Sequence, residues 1–147
     1  MKVAFAILLA ICVVMGTAVL HYEAITRLDR IARRGVRLGR AQLMGVIAAL
    51  ISIHLIEIGI YAGVYALASG PFHLGGFSGE RAMSRMDFFY YAAETYSSLG
   101  YGDIYPLGAL RMIASISPLN GVLLLAWSAA FLFSVVEEWR VGGPKGD

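Results

Sequence analysis

Apolar side chains fill three long stretches of the sequence, and shorter polar segments separate them. The first stretch runs over residues 3–20 without a charge, the second over 43–68 and the third over 110–136. A helix of about 20 apolar residues is long enough to cross the hydrocarbon core of a bilayer. The pattern therefore predicts three transmembrane helices, an all-α membrane protein.

The first apolar stretch has a second interpretation, which is a cleaved signal peptide. Its apolar run is longer than the core of a usual signal peptide, and no small-residue cleavage site follows before His21 and Tyr22. We therefore expect a retained first span.

The composition agrees with a membrane protein, since 59% of the 147 residues are hydrophobic, 15% are charged and the mean hydropathy is +0.70. Soluble domains carry about 25% charged residues. The net charge of +2 is too small to indicate a nucleic-acid partner. The length leaves room for one compact unit.

A basic segment, residues 22–42, follows the first stretch. Its arginines are Arg27, Arg30, Arg33, Arg34, Arg37 and Arg40. On a helix they share one face, opposite apolar residues such as Ile25 and Leu28, which predicts an amphipathic helix at the membrane surface that binds anionic lipids. A voltage-sensing helix is the alternative, although no preceding span carries counter-charges.

Arginine-rich short loops mark the cytoplasmic side of a membrane protein. With residues 22–42 inside, the N-terminus and the loop 69–109 lie outside and the C-terminus is cytoplasmic. The expected location is the cell membrane, in a multi-pass arrangement.

The loop between the second and third stretches contains a short helix signal. Ser84 and Asp87 form a capping box in its acidic variant. The apolar, aromatic run after them is too short to span a bilayer. We expect it to enter the membrane and turn back.

The residues after this run are Ser-Leu-Gly-Tyr-Gly-Asp, at positions 98–103, preceded by Glu94 and Thr95 and followed by Tyr105 and Pro106. They resemble the pore signature of potassium channels, commonly T-T-V-G-Y-G-D. The resemblance implies a re-entrant pore helix and a filter loop between the last two spans, assembled as a tetrameric pore. A plain turn in an outer loop is the alternative.

Together these observations divide the chain into an N-terminal span 1–21, a basic helix 22–42, a pore domain 43–136 and a tail 139–147. The pore domain is expected to hold an outer helix 43–68, a turret 69–84, a pore helix 85–97, a filter 98–103 and an inner helix 108–138.

The resemblance also assigns roles to individual residues. Backbone carbonyls of Ser98, Leu99, Gly100 and Tyr101 would bind K⁺ as the permeant ion, without any cofactor. Glycines at positions 100 and 102 allow the positive φ that such a filter requires. Because each chain supplies one loop, the direct consequence is a homotetramer.

Other matching positions would support the filter. Glu94 would bond to Asp103, with one shared proton, and Tyr90 would donate its hydroxyl to Asp103. Thr95 belongs to the end of the pore helix.

Pro118 and Gly121 predict a kink in the inner helix. The kink is either a gate hinge or a static bend that shapes the cavity.

The filter departs from the family pattern at Ser97, Ser98 and Leu99, where threonines and a valine or isoleucine are common. A weakly selective monovalent cation channel is therefore one alternative to a potassium-selective channel. A non-conducting scaffold or regulatory subunit is another.

Two ionisable residues, His54 and Glu57, lie three positions apart within the second stretch. They are expected to hydrogen-bond to each other or to Ser115, Ser117 or Asn120 on the inner helix. The alternative is a proton-sensing gate, because ionisable groups within a membrane are costly and functional by default.

Chemistry other than ion conduction finds no support in the sequence. The three histidines, His21, His54 and His73, are far apart along the chain, so we expect no metal-ligand cluster. No phosphate-binding loop or nucleophile and base pair is present, and an enzyme is not expected.

Overall fold

The computed structural model describes residues 1–34, 40–78 and 83–142, and for residues 33, 34 and 138–142 it describes the backbone alone. The elements of this part are α1 (Lys2–Arg34), α2 (Arg40–Ser69), β1 (Phe77–Ser78), α3 (Arg85–Tyr96), β2 (Tyr105–Pro106) and α4 (Leu110–Gly142). The fold is an all-α membrane fold, as the sequence predicts.

The described residues contain three helices long and apolar enough to cross a membrane. These segments are Lys2–Ala32, Arg40–Ser69 and Leu110–Glu137, with mean hydropathies of 2.8, 2.2 and 2.0. Helix α3 has 12 residues and is too short to cross. It begins with the expected capping box, in which Ser84 Oγ accepts from the Asp87 N–H and the Asp87 carboxylate accepts from the Ser84 N–H.

The basic segment differs from the separate surface helix that the sequence suggests. Residues 22–34 continue α1 without a break, and Arg40 opens α2. Because no glycine or proline lies between residues 17 and 34, the backbone hydrogen bonds continue past the apolar part. Arg37 lies outside the described residues, as do the side chains of Arg33 and Arg34.

Helix α1 packs against the last two spans. Its small or short side chains Ala6, Ala10 and Val13 belong to the same buried cluster as Tyr61 of α2 and Leu124 of α4. Small residues let membrane helices approach closely. The first span therefore covers one flank of the two helices that follow it.

Strands β1 and β2 pair antiparallel, with Phe77 opposite Pro106 and Ser78 opposite Tyr105. The sequence gives no sign of this pair, because two residues are too few for a periodic pattern. The connection continues beyond it, since the Ala109 N–H donates to the Leu74 carbonyl at 2.8 Å. It fixes the chain before α3 against the chain before α4.

Candidate functional site

The loop after α3 is tied to the end of that helix through its backbone. The N–H groups of Leu99 and Gly100 donate to the Glu94 carbonyl at 2.8 and 3.2 Å, and the Tyr101 N–H donates to the Glu94 carboxylate at 3.1 Å. In a trans peptide the N–H and the preceding carbonyl point in opposite directions. The carbonyls of residues 98–100 therefore point away from α3.

The backbone of this loop alternates in handedness. The φ angle is +60° at Ser98, +55° at Gly100 and +81° at Gly102, whereas Leu99 and Tyr101 do not have positive φ. Alternation of positive and negative φ turns successive carbonyls to one side, which an extended strand does not do. A glycine adopts positive φ at little cost. At Ser98 the same conformation costs about 1–2 kcal/mol.

Tyr90 of α3 supports the loop by a ring contact and a hydrogen bond. The Tyr90 ring stacks on Tyr101, with ring centroids 6.3 Å apart and planes 5° apart. The Tyr90 hydroxyl donates to the Asp103 carboxylate at 3.1 Å, the bond expected from the resemblance. One tyrosine thus holds both the middle and the end of the loop.

The Glu94 carboxylate has a different partner from the one expected. It is 4% exposed and accepts from the Tyr101 N–H, in place of a bond with Asp103. Burial raises the pKa of Glu94, and the nearby Asp103 charge adds to the rise, while the Tyr101 N–H opposes it. The neighbouring Thr95 hydroxyl donates to the Tyr91 carbonyl at 2.7 Å.

Gly121 of α4 lies against the end of α3. A Cβ at this position would lie 2.0 Å from the Tyr96 carbonyl oxygen. Pro118 lies within α4, which runs unbroken from Leu110 to Gly142. Close approach of the two helices is therefore a reason for Gly121 in addition to the predicted hinge.

Glu57 is fully buried, and three hydrogen-bond donors from three helices surround its carboxylate. His21 Nδ1 lies 2.8 Å from Oε1, while His54 Nδ1 and the Tyr96 hydroxyl lie 3.1 and 2.6 Å from Oε2. On the other side of both imidazoles, the Ser128 hydroxyl lies 3.0 Å from His54 Nε2 and 3.3 Å from His21 Nε2.

The mutual hydrogen bond that the sequence predicts for His54 and Glu57 is present at 3.1 Å. The partners of His54 and Glu57 beyond their mutual bond are His21, Tyr96 and Ser128. Asn120, one of the expected partners, instead donates to Thr17 and Tyr61 at 2.8 and 3.0 Å.

The expectation of no metal-ligand cluster is also corrected. Potential ligand atoms of His21, His54 and Glu57 all lie within 4.8 Å of one another. Distance along the chain conceals this, because packing of α1 on α2 brings position 21 beside position 57.

The fold and the site together define a class: a multi-pass all-α membrane protein with a short helix and a loop of aligned carbonyls between its last two spans. Residues 53–138 match a family model described as ion channel. Because the match covers more than half of the chain, the protein belongs to this ion channel family. No curated protein and no solved structure matches the chain.

Proposed function

We propose that the protein is a potassium-selective channel whose filter is lined by the backbone carbonyls of Ser98, Leu99, Gly100 and Tyr101. The observation that carries the proposal is the alternation of φ over residues 98–102, which aligns carbonyls in the segment that the ion channel family match includes. Rows of carbonyl oxygens replace the hydration shell of K⁺ in such filters. Ion conduction, rather than catalysis, is the activity of this site.

The proposed assembly is a homotetramer. One loop offers oxygens from one side of an axis, and a dehydrated cation needs a ring of them. Leu99 and Tyr101 are 57% and 67% exposed in a single chain, so apolar loop surface is free to contact neighbouring subunits.

The test is K⁺ and Na⁺ flux into liposomes that hold the purified protein. Gly100→Ala should abolish K⁺ flux and leave the oligomer intact on a sizing column, because alanine is strained at a φ of +55°. Gly76→Ala is the matched control, since its φ is not positive and its added Cβ meets nothing within 4 Å. Equal K⁺ flux in the wild type and in Gly100→Ala would contradict the proposal that this loop is the selectivity filter.

The second candidate is a weakly selective cation channel. It is favoured by Ser98, a non-glycine residue at a φ of +60° at the inner end of the loop, next to Leu99. In the same liposomes, equal K⁺ and Na⁺ fluxes that are both lost in Gly100→Ala would select it. Absence of flux at every lipid composition and pH would favour the third interpretation, a non-conducting scaffold or regulatory subunit.

We also propose that the basic end of α1 binds anionic lipid on the cytoplasmic side, with the N-terminus outside. The Arg27 side chain is 69% exposed and pairs with Glu23 at 3.6 Å, and Arg30 follows one turn later. Polybasic surfaces attract anionic headgroups at about 1 kcal/mol per side chain. The double variant Arg27→Gln, Arg30→Gln should lose dependence of flux on anionic lipid. Arg111→Gln, at the other end of the spans, should keep it.

A further inference from the structure

Two imidazoles and one carboxylate from two helices form a compact cluster between α1 and α2. His21 comes from α1, and His54 and Glu57 come from α2. Their potential ligand atoms lie within 4.8 Å of one another, and the His21 and Glu57 side chains are fully buried. Two imidazoles with one carboxylate are a donor set that Zn²⁺ binds in proteins.

The Tyr96 oxygen stands next to two of these atoms. It lies 2.6 Å from Glu57 Oε2 and 2.9 Å from His54 Nδ1. Zinc in proteins is almost always four-coordinate and accepts nitrogen, sulfur or oxygen ligands. The phenol oxygen stands beside the position of a fourth ligand, which it would occupy after releasing to solvent the proton that it donates to Glu57.

On the side away from Glu57, both imidazoles contact one hydroxyl group. Both rings turn Nδ1 towards Glu57 and Nε2 towards the same Ser128 oxygen, at 3.0 Å for His54 and 3.3 Å for His21. A metal-binding histidine usually donates its second ring N–H to an acceptor that fixes the ring. The Ser128 oxygen has two lone pairs and can accept from both rings.

The hydrogen bonds of the cluster depend on which ring nitrogen of His54 carries the hydrogen. If both rings are neutral and donate from Nδ1 to Glu57, both Nε2 atoms are acceptors, and Ser128 has one hydrogen to give. If His54 carries its hydrogen on Nε2 instead, it donates to Ser128 and its Nδ1 accepts from the Tyr96 hydroxyl, which satisfies the cluster without a metal. A metal ion between the Nδ1 atoms and the carboxylate satisfies the first arrangement.

We propose that His21, His54 and Glu57 bind a divalent transition-metal ion of the zinc type, with Tyr96 as the fourth ligand. His54 has a side-chain exposure of 13%, so the cluster reaches the protein surface at one edge. A bound ion would join α1 and α2 to the end of α3. This site is separate from the filter loop, and its test does not depend on ion flux.

The experiment uses the full-length protein, purified in detergent and stripped of metal. It is dialysed against Zn²⁺ in excess, and bound metal is counted by elemental analysis, while Co²⁺ serves as a spectroscopic probe of four-coordination. The wild type should bind one ion per chain and show the visible absorption of tetrahedral Co²⁺. His21→Gln and His54→Gln should lose both signals.

His73→Gln is the matched control, because this third histidine lies in the exposed turn after α2 and outside the cluster. It should bind metal as the wild type does. Equal binding by the wild type, His21→Gln and His54→Gln would overturn the proposal, and so would absence of binding by the wild type.

A second variant protects the test against misfolding of the ligand variants. Ser128→Ala keeps all four ligands and removes the acceptor behind the imidazoles, so zinc affinity should fall about 10–100-fold. Zinc should also raise the melting temperature of the wild type and of His73→Gln, since a ligand of the folded state stabilises it. Unchanged affinity in Ser128→Ala, or a wild-type melting temperature that zinc does not move, would contradict the site.

Discussion

Glu57 shows how one residue sets the packing of its surroundings. A carboxylate within a membrane helix is costly, and this one is tolerated because donors from α1, α2 and α3 satisfy it. The same bonds then restrict how those helices can move. Glu57 and His54 each have three hydrogen-bond partners, and His54 extends the network to Ser128 of α4.

Removal of this carboxylate should destabilise the protein. Glu57→Ala leaves His21 and Tyr96 buried without their acceptor, and we expect a loss of about 3 kcal/mol in the free energy of unfolding. The measurement is unfolding of the metal-free protein in mixed detergent micelles. Glu23→Ala is the control, because the exposed pair of Glu23 and Arg27 contributes about 0–1 kcal/mol. Similar losses in both variants would contradict the role of the buried network.

Glu94 should make stability depend on pH. Its pKa is raised in the folded state, chiefly by burial, so its contribution to stability is complete below the ordinary value of 4.5 and is lost as the pH rises through the folded-state pKa. Glu94→Gln keeps an acceptor for the Tyr101 N–H and removes the charge. We expect this variant to melt higher than the wild type at pH 7 and to lose the decline above pH 4.5. Parallel melting curves from pH 4 to 7 would contradict it.

Contacts between elements depend on where small residues stand. Gly121 lets α4 approach the end of α3. The C-terminal end of α3 therefore lies against the backbone of α4. Gly75 lets the chain after α2 approach the chain before α4, because an added Cβ at Gly75 would lie 2.0 Å from the Leu107 carbonyl oxygen.

Gly121→Ala should force α3 and α4 apart. We expect a loss of about 1–3 kcal/mol in unfolding free energy, as for other over-packed contacts, together with reduced flux. Gly63→Ala is the control in α2, because its added Cβ meets nothing within 4 Å and alanine favours a helix. If Gly121 served as a hinge alone, its alanine variant would change flux and keep the wild-type unfolding midpoint.

For the whole molecule, subunit mixing tests the proposed tetramer. When wild-type and Gly100→Ala chains are co-expressed in equal amounts and assemble at random, flux per protein should fall to about one sixteenth if one altered loop blocks a four-chain pore. A two-chain pore would keep about one quarter. The control mixture of wild type with Gly76→Ala should keep full flux. The measurement is K⁺ flux in liposomes at matched protein content.

The sequence predicts the features that depend on neighbouring residues and misses those that depend on packing. The three spans, the short α3 and its Ser84 cap follow from apolar length and local hydrogen bonds, and the structure confirms them. The bond between His21 and Glu57 joins positions 36 apart, and the periodicity of neither helix indicates which faces meet. The basic side chains after residue 21 suggest a change of environment and a separate helix, whereas the backbone continues α1 as far as Arg34.

The contact of α1 with α2 also bears on how the protein is made. A ribosome delivers the N-terminal helix first, and folding generally proceeds in that order. An acidic residue at the centre of a membrane helix costs about 2.5–3.5 kcal/mol on insertion scales. Since His21 precedes Glu57 in the chain, an imidazole partner is synthesised before the carboxylate. The order of synthesis therefore gives the insertion machinery a helix that can receive α2 as it emerges.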